Sequence, residues 1–141
     1  MAKYSSMESL KAALLDALVT ATDNMAEMVG DEVDDAVMHY YQSYSPTLYS
    51  RTGTLSKAPK RTPAAQNGDG ASAEVYLDTS LQYHTGTWNM ENVISAAENM
   101  THGGKNVGEG VSIWRHPMNE VSAKSHDMWK KALTDAGLDV K

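Results

Sequence analysis

The sequence predicts an α+β fold: a long N-terminal helix, a small, mainly antiparallel sheet, and a short middle helix and a C-terminal helix packed on it. Three observations lead there. Apolar residues return at steps of three and four over the first forty or so positions, as one face of a helix requires. Val75 and Leu77 alternate with Glu74, Tyr76 and Asp78, the period of a half-buried strand. Helical spacing then returns twice, near Met90 and beyond Pro117. At 141 residues the chain suits a single domain with one modest core. Within it, residues 1–43 read as the long helix, 56–72 as a flexible basic loop, and 73–141 as the sheet with two helices.

The first helix carries its stripe on Leu10, Leu14, Leu18, Ala21, Met25 and Met28. Ser5 with Glu8 reads as a capping box, in which hydroxyl and carboxylate each satisfy the other residue's amide. Gly30 costs about 1 kcal/mol in a helix interior relative to Ala, yet Val33, Ala36, Val37, Tyr40 and Tyr44 resume the stripe beyond it. The spacing predicts either one helix to about Gln42, bent near Gly30, or two helices breaking there. Pro46 disfavours helical geometry at Ser45, so the helix ends before it.

Ser56 to Gly70 contains no large apolar residue and is expected as a loop, either functional or disordered. The strand at Ala73–Asp78 follows, then a turn at Asp78–Ser80 and a second strand at Leu81 and Tyr83. Met90, Val93, Ile94 and Ala97 share a face of the middle helix, with Thr87 or Asn89 as its cap and Gly103 and Gly104 beyond its end. Val111, Ile113 and Trp114 are expected as a strand. Pro117 is placed as the first residue of the last helix, whose stripe is Met118, Val121, Met128, Trp129, Ala132 and Leu133. Gly137 suits its left-handed cap, with Leu138 folding back on Leu133.

Composition narrows the class of function. There is no Phe, and nine Met, seven Tyr and three Trp supply the large apolar side chains. Tyr and Trp carry a polar tip, which suits half-buried surfaces and subunit contacts. Without Cys there are no disulfides, thiolate nucleophiles or cysteine zinc sites. No stretch approaches the roughly 20 apolar residues of a membrane span, and the start, Met-Ala-Lys-Tyr-Ser-Ser, has no signal-peptide core. A soluble protein made in the cytoplasm is expected.

Charge is unevenly spread. Residues 1–39 set eight acids (Glu8, Asp16, Asp23, Glu27, Asp31, Glu32, Asp34 and Asp35) against Lys3 and Lys11, which accounts for the whole net charge of −6. The remainder balances to zero, with Arg51, Lys57, Lys60 and Arg61 close together and no acid among them. An acidic helix face and a basic loop are each ordinarily solvated, or they pair between neighbouring copies.

Catalytic patterns are missing. His39, His84, His102, His116 and His126 show no i, i+4 pair and no H-E-x-x-H. Gly103, Gly104, Gly108 and Gly110 lead toward a strand and lack the Lys-Ser or Lys-Thr of a P-loop. No Gly-x-Ser-x-Gly marks a nucleophile. The reading is of a protein that is not an enzyme and takes neither metal nor cofactor. Four positive charges on an acidic chain without an aromatic platform predict at most weak, sequence-blind contact with DNA.

One segment is more specific. Tyr44 to Leu55 reads Tyr-Ser-Pro-Thr-Leu-Tyr-Ser-Arg-Thr-Gly-Thr-Leu, with Tyr44, Pro46, Tyr49, Arg51, Thr52, Gly53 and Leu55 in a fixed pattern. As a helix exit it is physically sensible: Pro46 stops the helix, the two tyrosines clamp the turn, and Gly53 permits a backbone angle other residues resist. Arg51 has a planar fork suited to a carboxylate or to several carbonyls. The pattern resembles the tail-completion, or neck, protein family of the head-to-tail joint of long-tailed bacteriophages, in which a long first helix ends at Tyr-x-Pro-x-x-Tyr-x-Arg-Thr-Gly-x-Leu. Tyr83 to Thr87 resembles that family's strand ending in Gly-Thr, and His116-Pro117-Met118 its His-Pro-hydrophobic step. Thr85 stands where the family has an acid, and Met118 where it has Phe.

The resemblance implies a structural virion protein, a ring component joining the head connector to the tail, assembled in the bacterial host cytoplasm and resident in the neck. Its partners would be further copies of itself, as a hexamer, with a connector or stopper protein on one side and a tail terminator or tail tube protein on the other, and no membrane. The motif residues would make subunit contacts, and Lys57, Lys60 and Arg61 would lie on a loop facing the lumen or a partner. A tail terminator or another connector ring protein stays open as an alternative. So, further off, do a small metal-dependent hydrolase and a DNA-binding accessory protein.

Overall fold

A computed structural model describes residues 3–43, 53–82, 89–99, 101–102, 105–106 and 112–139. Among the described residues the fold is mixed α+β and mostly helical, with three helices and short paired strands. In order these are α1 (Met7–Gln42), a 3-10 turn (Leu55–Lys57), β1 (Pro59–Arg61), β2 (Ala65–Asn67), β3 (Gly70–Ser72), β4 (Val75–Leu77), α2 (Met90–Glu98), β5 (Thr101–His102), β6 (Lys105–Asn106) and α3 (Arg115–Asp135). The chain divides into two compact units. The first is Met1–Met28, Arg61–Glu74 and Lys124–Lys141; the second is Val29–Lys60 and Val75–Ala123.

α1 is one helix of 36 residues that runs through Gly30 and ends at Gln42, which settles the choice between one helix and two. Its cap sits one residue later than the spacing suggested. The Ser6 hydroxyl accepts from the Ser9 amide at 3.1 Å, and the Ser9 hydroxyl accepts from the Ser6 amide at 3.2 Å. A second serine thus does what a Glu does in the Ser-x-x-Glu box, because its hydroxyl is already close enough to reach back. Glu8 remains in the first turn, where a negative charge is favoured by the helix dipole.

In the first unit α1 buries Ala21, Met25 and Ala26, and α3 buries Met128 and Ala132. The segment expected as a loop forms strands here. β2 pairs antiparallel with β3, Ala65 opposite Ser72 and Asn67 opposite Gly70, which leaves Gly68 and Asp69 as a two-residue turn. Gly68 has φ +61°, as such turns require. The strands escaped notice because alternation marks a strand only when one face is buried, and every residue of β2 is exposed. Below this pair the Thr62 amide donates to the Glu74 carbonyl at 2.9 Å, and the Glu74 amide donates to the Thr62 hydroxyl at 2.8 Å. Between these two rungs the first arm has Pro63 and Ala64 where the second has only Ala73, so one residue is extra and the ladder breaks in a bulge. Pro63, with no amide to donate, is well suited to that break. α3 ends as the sequence implied. The Gly137 amide donates to the Thr134 carbonyl and the Leu138 amide to the Leu133 carbonyl, both at 3.0 Å, with Gly137 at φ +93°: the Schellman pattern.

The second unit has a core of Val37, Tyr40, Leu55, Ala58, Met90, Ala97 and Ile113, with Tyr41, Leu77, Leu81, Val93 and Ile94 packed against it. β4 lies where the alternation placed a strand and is hydrogen-bonded to β1. The Asp78–Ser80 turn is present, the Asp78 carboxylate accepting from the Ser80 amide and hydroxyl. Leu81 and Gln82 are not a strand; Leu81 instead packs on the core, and Tyr83 lies outside the described residues. Asn89 caps α2, its side chain accepting from the Asn92 amide at 2.9 Å. β5 and β6 pair antiparallel.

Ile113 and Trp114 are also not a strand, and the cause is a long-range partner. The Glu98 carboxylate, at the end of α2, accepts from the Trp114 amide at 2.7 Å and the Arg115 amide at 3.0 Å, and the Ser112 hydroxyl accepts from the His116 amide at 3.0 Å. Those amides are the unpaired donors of a helix start, so α3 begins at Arg115 and Pro117 is its third residue. A proline still fits there, since first-turn amides have no partner within the helix.

Candidate functional site

The pattern from Tyr44 to Leu55 is described only at its end. Tyr44, Pro46, Tyr49, Arg51 and Thr52 lie outside the described residues, as does Tyr83 to Thr87. Gly53 has φ +75°, a left-handed angle, and a Cβ built on it would meet nothing within 4 Å. The glycine is therefore there for its backbone angle and not for lack of space. Its carbonyl accepts from the Ser56 hydroxyl at 2.6 Å and the Ser56 amide at 3.2 Å, and that amide is also 3.2 Å from the Tyr41 hydroxyl. Two residues on from Gly53, Leu55 is 3% exposed and belongs to the core of the second unit. The turn is thus a fixed structural point: a glycine that sets direction, a leucine that anchors it, and a tyrosine from α1 that reaches it.

Lys57 and Lys60, in the second unit, are exposed. The Ser80 hydroxyl first, then the Ser80 amide, and least the charge of Lys60 hold Asp78 below the usual carboxylate range. Arg61, in the first unit, has a partner that the sequence did not announce. Its Nη1 lies 3.1 Å from Oδ1 of Asp23 on α1, and the same oxygen accepts from the Ala64 amide at 3.0 Å. The Ala64 amide, and after it the Arg61 guanidinium, hold the Asp23 carboxyl below its ordinary range against an opposing effect of burial. Lys11 Nζ meets Asp69 Oδ1 at 2.9 Å. One acid of the helix thus pairs with one base of the basic segment within one chain, Asp23 with Arg61 across 38 residues, while in the second pair the cation is on the helix and the acid on the loop. Nothing in local spacing signals a contact at that separation.

Large apolar side chains also lie open. In the first unit these are Tyr4, Met7, Leu14 and Trp129, with Met7 79% exposed; in the second they are Met38 and Tyr76. Met7 and Leu14 are seven apart on one helix and so share a side of it. Among the described residues no group of three or more His, Asp and Glu is placed to hold a metal ion, and no helix is long and apolar enough to cross a membrane.

A family model described as YomN matches residues 6–136, nearly the entire chain. The chain belongs to the YomN family. No curated protein and no solved structure matches it. The YomN match starts at Ser6, the cap of α1, and ends one residue before Gly137. It takes in the Gly53–Ala58 turn, the Asp23–Arg61 pair and the Glu98 cap.

Proposed function

We propose that this YomN chain is a structural component of a tailed-phage neck, a ring protein that joins the head connector to the tail by binding and without turnover. The observation that carries the reading is the Tyr44–Leu55 pattern, whose described end is built as a structural turn. Gly53 occupies the backbone angle that such a pattern needs, and Leu55 is sunk in a core. A catalytic motif would hold its functional groups open to a substrate; these residues hold the chain. Exposed Tyr, Met, Leu and Trp side chains add support, since such residues are enriched where subunits meet.

A ring needs heterologous contacts, in which one patch of a subunit meets a different patch of the next. The open apolar side chains and the exposed Lys57 and Lys60 are candidates for the two patches and for the contacts with connector and tail. DNA passing through such a ring would meet the lysines weakly and without regard to sequence. The reading predicts that the purified protein assembles into a closed hexamer, alone or on addition of the connector or tail-terminator protein encoded beside it. Mass measurement of the native complex checks this, and a monomer under every such condition counts against it.

A further inference from the structure

The hairpin of the first unit joins α1 through polar contacts at two points, one at its base and one at its tip. At the base, Asp23 takes the Ala64 amide and Arg61; at the tip, Lys11 takes Asp69. Lys11 and Asp23 are twelve residues apart on a helix, about 18 Å, and the arm from Ala64 to the Gly68–Asp69 turn reaches about 13 Å, the extended Lys11 side chain meeting Asp69 at the tip. The arm thus lies along α1 with its tip toward the helix N-terminus.

Between these points the arm has almost nothing apolar to hold it. Residues 64–73 are Ala, Ala, Gln, Asn, Gly, Asp, Gly, Ala, Ser and Ala, and burying an Ala gains far less than burying a Leu or Met. Both ion pairs are solvent-exposed, with side chains 37% to 84% accessible, and exposed pairs are weak and screened by salt. The break in the ladder is placed to serve as a hinge. Thr62 and Glu74 are fastened to each other by two hydrogen bonds, and pairing then lapses across Pro63 and Ala64 before resuming at Ala65. A bulge normally leaves its extra amide to water; here the Ala64 amide is taken by Asp23.

We propose that residues 63–73 form a hinged arm latched to α1 by Asp23 and Lys11, opening as a unit at the Pro63 bulge while Thr62 and Glu74 stay paired. Opening takes the Ala64 amide from the Asp23 carboxylate and Asp69 from Lys11, while Arg61, on the fixed side of the hinge in β1, stays beside Asp23. This does not depend on the neck reading.

Hydrogen exchange on the full chain, resolved by residue, tests it. At low salt the amides of Gln66 to Ser72 should exchange faster than those of α1 between Ala17 and Ala26, and high salt should speed the former and not the latter. Asp23→Ala should accelerate arm exchange roughly tenfold, the effect of losing one charge-assisted hydrogen bond, with Asp23→Asn in between and Asp16→Asn without effect. Lys11→Asp and Asp69→Lys should each loosen the tip, and the two together should restore it. The proposal is overturned if arm and helix exchange together at every salt concentration, or if Asp23→Ala leaves the arm unchanged while the protein stays folded.

Discussion

Asp34 stands on an exposed side of α1 near Asp31 and Asp35, and its carboxyl is raised above the usual range by burial first and then by those two neighbours. Asp23 is the opposite case, lowered by the Ala64 amide and Arg61. The two therefore act on stability with opposite signs. A carboxyl raised on folding stabilises below its unfolded pKa, and that contribution is lost as pH rises through the folded value; a lowered one stabilises above its unfolded pKa and loses its effect in acid. At neutral pH ionised Asp34 thus opposes folding. Asp34→Asn should raise the thermal midpoint at pH 7, and the gain over the natural chain should shrink as pH falls below the carboxylate range. A midpoint unchanged at pH 7 would mean that solvent screens the three acids. At this scale the sequence was informative where a residue answers to its own backbone. Gly53 and Gly137 both stand at the positive φ expected of them. It was silent on Asp23, which reads as one acid among eight until Arg61 and Ala64 are brought to it.

Helices were the legible elements. The stripe of α1, from which exposed Leu14 departs, its end at Gln42, the Asn89 cap of α2 and the Gly137 end of α3 are all local signals, carried by residues within a turn or two of one another. The strands of the hairpin were not, because exposed Ala, Gln and Asn carry no alternation, and Asn67-Gly68 then reads only as loop. The start of α3 was missed for a different reason: its cap is Glu98, sixteen residues from Trp114, and a side chain that distant leaves no mark on local spacing. Glu98→Ala should therefore leave the Trp114 and Arg115 amides without their acceptor and cost about 1 to 2 kcal/mol, the range for losing a helix cap. Chemical denaturation measures the loss, and faster exchange at Trp114 to His116 locates it. Glu98→Gln, which keeps an acceptor oxygen, should recover part of it.

Across the whole molecule, the two compact units each bury their own set of side chains, and each leaves large apolar ones open. Such exposure is normal singly; Met7 and Leu14, seven apart, share a side of α1, which a neighbouring subunit would cover in the proposed ring. The proposed role asks these surfaces to join copies into a ring and the ring to two partners, with Gly53 and Leu55 holding the exit of α1 in place. The most direct test is electron microscopy of lysates from a phage in which the gene for this chain has been deleted. A neck component predicts DNA-filled heads and complete tails accumulating side by side, unjoined, and joined again when the protein is supplied. Joined, infectious particles in its absence would contradict the account.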